Sequence, residues 1–309
     1  METEQKRKHV VSVSIGSSTR DHSVETDVMG VPFKIERIGT DGDQKKAVQM
    51  IRDLDGKADA IGLGGIDLYL HVGPAKYMIR DAKKLYDAAK KTPVYDGSVL
   101  KNSIEKEFIS QLRREGRYLK KGTKVLLVSS VDRFGMAEAF ANAECDVCYA
   151  DFLFSLNMKI PIRSLATLRV IAKILLPIFT KLPFEMLYPT GDKQLTRKSR
   201  YGEFFEWAEV VAGDFNLINK FLPDDMRGKV IVTNTVTAKD VEDMKERKVA
   251  TLITTTPEFS GRSFGTNVME GVYATILGKT RDNPPTEQEF RDLVNKMDMK
   301  PRVLQITEK

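Results

Sequence analysis

Short apolar runs that end in small polar residues alternate along this chain with stretches of helical spacing. His9 to Gly16 (HVVSVSIG) reads as a first strand, followed by the loop Ser17-Ser18-Thr19-Arg20-Asp21. Phe33 to Ile38 is a second strand candidate, and Asp43 to Leu54 places Ala47, Val48, Ile51 and Leu54 on one helical face. Ala58 to Leu63 runs into Gly64-Gly65-Ile66-Asp67, and DLYLHV and YMIRD flank Gly73-Pro74 as a hairpin would. A helix over Asp81 to Lys91, a strand over Pro93 to Tyr95 and a charged helix over Ile104 to Tyr118 follow. Lys120-Lys121-Gly122-Thr123 then looks like a joint between domains.

The second half repeats the theme. Strands are expected at Lys124 to Ser130, Asp146 to Ala150, Val210 to Ala212, Lys229 to Val232 and Thr251 to Ile253. Helices are expected over Gly135 to Ala143, after Thr237-Ala238-Lys239-Asp240 (a capping-box pattern), near Gly265 and near Thr286. Strand, crossover helix, strand is the rhythm of parallel α/β sheets. The fold expected is therefore α/β, with two Rossmann-like parallel-sheet domains and a cleft between them. Residues 1–120 would form the substrate side and 121–309 the cofactor side. Ligands of such sheets bind beyond the carboxyl ends of the strands. Six or more of those ends carry Gly, Ser, Thr, Asp or Asn here, which favours a cleft lined with donors and acceptors.

Composition narrows the class. Of 309 residues, 41% are hydrophobic and 30% charged, the balance of a globular chain. The start, METEQKRKHV, has no apolar core of a secretory signal, so a cytoplasmic protein is expected. Leu168 to Phe179 is the most apolar stretch, but Lys173 and Pro177 interrupt it, and it is too short to span a bilayer. It reads as a buried helix or a contact between copies in a homo-oligomer, with a membrane-surface helix as the rival. The net charge of +6 is spread over many segments without interleaved aromatics, which suits an anionic small molecule better than nucleic acid. Cys145 and Cys148 lie in one strand-like segment with no second pair, so they read as reduced thiols; His9, His22 and His71 are too scattered for a metal site.

Three clusters carry candidate chemistry. In Lys124 to Asp151, Ser130, Asp132 and Gly135 occupy the positions of a GxGxxG turn. Asp151 stands 21 residues beyond Ser130, where an acid would hold the ribose of NAD. Arg133 would offset Asp132 or meet phosphate, and Thr233 and Asn234 end a later strand of the same domain. The counter-reading is a plain crossover, since two of the three glycines are absent. A second cluster, Asp96-Gly97-Ser98 with Lys101, offers a lysine base for an alcohol proton, partnered by Asp96 or Asp67; alternatively it is a turn and helix cap. The third is an anion cradle from Arg262, Ser263 and Asn267, with Ser17 and Ser18 at the first strand's end and a similar loop at Pro189 to Gln194.

Several segments resemble a group of bacterial proteins labelled quinate 5-dehydrogenase or quinate/shikimate dehydrogenase-like. They are VVSVSIGSSTRDHSVET, IGLGGIDLYL, VSSVDRFGMAEA, PIRSLATL, LYPTGDKQ and TTTPEFSGRSFGTNVMEG. The resemblance implies an oxidoreductase using NAD or NADP on a cyclic polyhydroxy carboxylate. Shikimate dehydrogenases proper carry V-T-x-P-x-K and a Gly-Ala-Gly loop; Lys101 and Ser130-Val131-Asp132-Arg133 stand in those roles here by analogy. The rival expectations are a two-lobed binding or regulatory protein without redox chemistry, which Asp132 favours, and a transferase or lyase for an anionic metabolite.

Overall fold

The computed structural model describes residues 6–183, 199–256, 258–259 and 262–307, with the backbone alone for 258, 259, 262 and 263. Two α/β lobes are built on two separate sheets. The first sheet has the order β2-β3-β1-β4-β7. Its strands are β1 (Lys8–Ser14), β2 (His22–Val28), β3 (Val31–Gly39), β4 (Ala60–Gly64) and β7 (Val94–Tyr95). β1 pairs in parallel with β3 and β4, β4 with β7, and only β2 runs antiparallel, on β3. β1 is Val-rich because it is covered on both faces, as central parallel strands are. Helix α1 (Gln44–Leu54) starts where the Asp43 side chain accepts the Lys46 N–H, and turns Ala47 and Ile51 inward. A hairpin of β5 (Tyr69–Val72) and β6 (Ala75–Met78), turned at Gly73, leads into α2 (Arg80–Tyr86).

Helix α3 (Ser98–Glu115) joins the lobes. Leu100, Ile104 and Phe108 belong to the first lobe's core, whereas Ile109 and Leu112 pack into the second's. The expected helix began six residues later, at Ile104. Its first turns are buried but polar (Lys101, Asn102, Ser103 and Glu105), so no apolar stripe marks them.

The second sheet has the order β15-β12-β11-β10-β8-β9. β8 (Lys124–Leu127), β9 (Asp146–Tyr149), β10 (Val210–Gly213), β11 (Val230–Thr233) and β12 (Thr251–Thr254) are parallel, and β15 (Arg302–Gln305) closes the edge antiparallel to β12. Between β8 and β9 lies α4 (Phe134–Asn142), and α5 (Asp151–Phe154) follows β9. Then come α6 (Leu165–Phe179), α7 (Gly202–Trp207), α8 (Phe215–Phe221) and α9 (Ala238–Glu246). The short strands β13 (Glu258–Phe259) and β14 (Arg262–Ser263) pair with each other. Helices α10 (Thr266–Ile276) and α11 (Glu287–Lys296) then return to the first lobe, where Val268, Val272 and Phe290 join the same core as Val10 and Phe33. A division at residue 120 therefore separates the two sheets but not the helices that cover them.

The capping box expected at Thr237 is present, and Thr286 forms a second with Glu289. The apolar stretch at Leu168 is α6, buried on one face only: Val170, Ile174 and Ile178 on the other are about 60% exposed. No helix among the described residues is long and apolar enough to cross a membrane. Cys148 is buried in β9, Cys145 precedes it, both are free, and burial pushes each thiol up to about 11.

Candidate functional site

Both sheets turn the carboxyl ends of their strands toward one cavity of about 540 Å³. Ser14 ends β1, Asp67 follows β4 and Asp96 follows β7; from the second lobe come Ser129, Asp132, Asp151, Asp214 and Asn234. Small polar residues stand at these ends because the chain must turn there, and the turn leaves their short side chains at the rim of the cleft. Gly97 lets α10 close the floor. Its φ is +86°, and a Cβ there would come within 2.6 Å of the Asn267 amide nitrogen.

Lys101 occupies the junction. Its Nζ lies 2.5 Å from Asp67 Oδ1 and 2.9 Å from Asp132 Oδ1, so one ammonium ties a first-lobe loop to a second-lobe loop. Burial works to lower its pKa, but the Asp132 and Asp67 carboxylates outweigh burial, and the pKa is raised. Burial, with the charge of Asp132, pushes Asp67 up to about 7 against the pull of Lys101, and Asp67 is hydrogen-bonded to Asp132. Asp132 is held down to about 2: burial opposes this, but Lys101 and Arg133 prevail. An ammonium so held carries its proton at neutral pH. The expectation that Lys101 is a base for an alcohol proton is therefore corrected.

Asp96 does not partner it. The Asp96 carboxylate accepts the N–H groups of Leu68 (2.7 Å), Tyr69 (2.9 Å) and Ser98 (3.0 Å), which fixes the hairpin entry and the start of α3.

The expected dinucleotide turn is filled by the protein itself. Asp151 follows β9 at the expected spacing and opens α5, but its carboxylate accepts the N–H groups of Ser130 (3.2 Å) and Val131 (2.9 Å). Those are the donors a pyrophosphate would need. Burial raises Asp151 to about 6 despite these bonds. The Gly135 N–H donates to Asn102 Oδ1 at 3.0 Å, and a Cβ at Gly135 would meet the α3 backbone 2.9 Å away. That glycine serves helix packing. Arg133 is 1% exposed and bonds Glu105 of α3 and, at 3.4 Å, Asp214, so it does not present itself to a phosphate. Ser130 is fully buried, and its hydroxyl donates to Leu127 O. Thr233 donates to Gly213 O at 2.8 Å, and Asn234 accepts the Phe215 N–H at 3.3 Å. These residues do not fit NAD or NADP.

At the mouth, Ser17 caps the 3-10 turn Ser18–Arg20 and the Ser18 N–H donates to Asp41. Arg20 reaches across to Asn216 of α8 at 2.9 Å, and Arg37 donates to Ser14 Oγ and Asp21. Asn267 lines the cavity and donates to Ser12 Oγ at 2.7 Å. The side chains of Arg262 and Ser263 and the loop from Pro189 to Gln194 lie outside the described residues. Arg20, Arg37, Asp214 and Asn216 escaped the sequence reading. Asp214 alone had a signal, a Gly-Asp pair at a strand end. No group of three or more His, Cys, Asp and Glu among the described residues is placed to hold a metal ion.

A family model described as a domain of unknown function (DUF8754) matches residues 99–306, and a second such domain (DUF8753) matches 9–96. No curated protein matches the chain. Among solved structures, the chain is similar to a glucose-galactose binding protein from Geobacillus stearothermophilus (8% identity, 97% of this chain and 98% of that one, TM-score 0.39). It is also similar to a periplasmic ribose ABC transporter protein from Conexibacter woesei (9%, 97% and 92%, 0.38). A third is an ABC transporter solute binding protein from Agrobacterium vitis bound with α-D-tagatopyranose (11%, 97% and 95%, 0.38). None of these is a quinate or shikimate dehydrogenase. The filled dinucleotide turn overturns the oxidoreductase expected from the sequence. The chain belongs to the family of the first domain, whose model covers more than half of it.

Proposed function

We propose that this member of the DUF8754 family is a non-redox binding protein that holds a small hydroxylated molecule between its two lobes. One observation carries the reading. Strand ends of both lobes deliver compact donors and acceptors to a single cavity, and the protein's own bonds already orient several of them. Asp132 and Asn234 come from one lobe, Ser14, Asp67 and Asn267 from the other. Groups fixed before binding lose little freedom on binding. Hydroxyl groups, each both donor and acceptor, match such a set.

An anionic substituent on the ligand is the finer part of the proposal, supported by Arg20, Arg37 and Lys220 among the lining residues. Placement in the cytoplasm is a further part, supported by the free thiols Cys145 and Cys148; immunoblotting of fractionated cells checks it.

Thermal unfolding with millimolar neutral sugars, polyols and the corresponding sugar acids tests the central reading. At least one compound should raise the midpoint, since a ligand of the native state stabilises by linkage. A panel that leaves the midpoint unmoved contradicts it. Stabilisation by neutral sugars and none by their acids removes the anionic part. Asp132→Asn should weaken the active compound by about tenfold or more, as for a lost charge-assisted hydrogen bond.

A further inference from the structure

The polar groups that line the cavity come largely from the strand ends. Part of its wall is apolar: Leu168, Ile171, Leu175 and Phe179 of α6, with Leu70 of the first lobe's hairpin and Ile79 just after it. These α6 residues recur at the three- and four-residue steps of a single helical face. Helix α6 belongs to the second lobe but lies against β5, and the Arg80 N–H donates to Thr180 O, so this wall too is shared between the lobes. Thr180, next to Phe179 of the stripe, donates its hydroxyl to Leu176 O at 2.7 Å. A small hydroxylated molecule satisfies the strand-end groups and leaves this wall against water. A cavity of about 540 Å³ lies in the range that encloses larger ligands with a few convergent polar groups.

We infer that the ligand is an amphiphile, with a hydroxylated head at the strand ends and an apolar chain along the inner face of α6. This rests on the cleft being the binding site, as proposed above. The chain gains from leaving water wherever Leu70, Ile171 and Leu175 cover it, and the hydroxyls of the head select among amphiphiles.

Calorimetric titration of the full chain with n-alkyl β-D-glucosides from methyl to octyl, each below its micelle concentration, tests this. Past the shortest members, affinity should rise about three- to fourfold per methylene, the burial of one CH₂. Leu175→Gln and Ile171→Gln should each cut the octyl-to-methyl affinity ratio by at least about tenfold. Val170→Gln, on the outer face of the same helix, should leave that ratio unchanged and reports on the helix itself. Affinity independent of chain length overturns the amphiphile while leaving the binding of a hydroxylated head intact. Octanol binding as tightly as octyl glucoside overturns it from the other side, because no head is then recognised. If neither glucosides nor sugars and sugar acids bind, the cleft reading falls and the amphiphile with it.

Discussion

At Lys101 a side chain with three donors stands between two carboxylates in a site almost closed to water. Breaking such a group on one side leaves the other charges buried and uncompensated. Lys101→Met should therefore destabilise the fold by roughly 3–5 kcal/mol in urea unfolding; a loss below about 1 kcal/mol would show the network to be solvated. The acids near the cleft also set a pH dependence. Asp67, Asp151 and Glu270 are raised to about 7, about 6 and about 8, burial being the first cause in each. The fold holds these protons more tightly than the unfolded chain does. Their contribution is fully present below the ordinary carboxylate range, near 3.8 to 4.5, and is lost as pH rises through 6 to 8. Asp132, held down, acts oppositely, but only below about pH 4. The urea midpoint should fall from pH 5 to pH 8.5. Glu270→Gln should flatten the upper part of that fall, because the amide oxygen can still accept the Leu100 N–H at the start of α3. A midpoint that climbs over this range would contradict the assignment. Sequence reading reached Asp151 and Lys101 by position, without the bonds that hold them. An acid at a strand end looks the same whether it faces a ribose or two backbone amides, and spacing cannot tell these apart.

Elements were legible where apolar periodicity and caps agree. The box at Thr237 marks α9, where both the Asp240 N–H and the Asp240 carboxylate engage the cap. Thr237→Ala should cost about 1 kcal/mol in the same unfolding measurement. Strand β2 was missed because only Val24 and Val28 of HSVETDV are buried, so an edge strand shows one apolar residue in four. The start of α3 was missed for a different reason. Lys101, Asn102 and Glu105 are buried polar residues whose partners come from distant loops and helices. Gly97, just before it, was legible as a turn but not as a contact. Its φ of +86° and the approach of Asn267 leave no room for a side chain. Gly97→Ala should cost about 2 kcal/mol or more, with α10 becoming more open to amide exchange; an unaltered exchange pattern would show that α10 does not depend on this contact.

Across the whole molecule, two lobes and a cleft could be read from alternating strands and helices, because parallel sheets place their strand ends together. The return of α10 and α11 to the first lobe could not. It depends on contacts such as Asn267 with Ser12 and Gly271 against Val10 and Ala60, between residues more than 200 positions apart. The same return brings Asn267 to the cavity and seals the floor between the lobes. Chemistry therefore follows from packing: Lys101 is paired with Asp67 and Arg133 with Asp214, and the turn that would take a pyrophosphate is occupied by Asp151. Saturation-transfer NMR on the full chain with a mixture of neutral sugars, sugar acids, NAD and NADP tests this account most directly. Saturation should reach at least one hydroxylated compound, weaken in Asp132→Asn, and not reach either nucleotide. Transfer to NAD or NADP, or to no hydroxylated compound, would contradict the account.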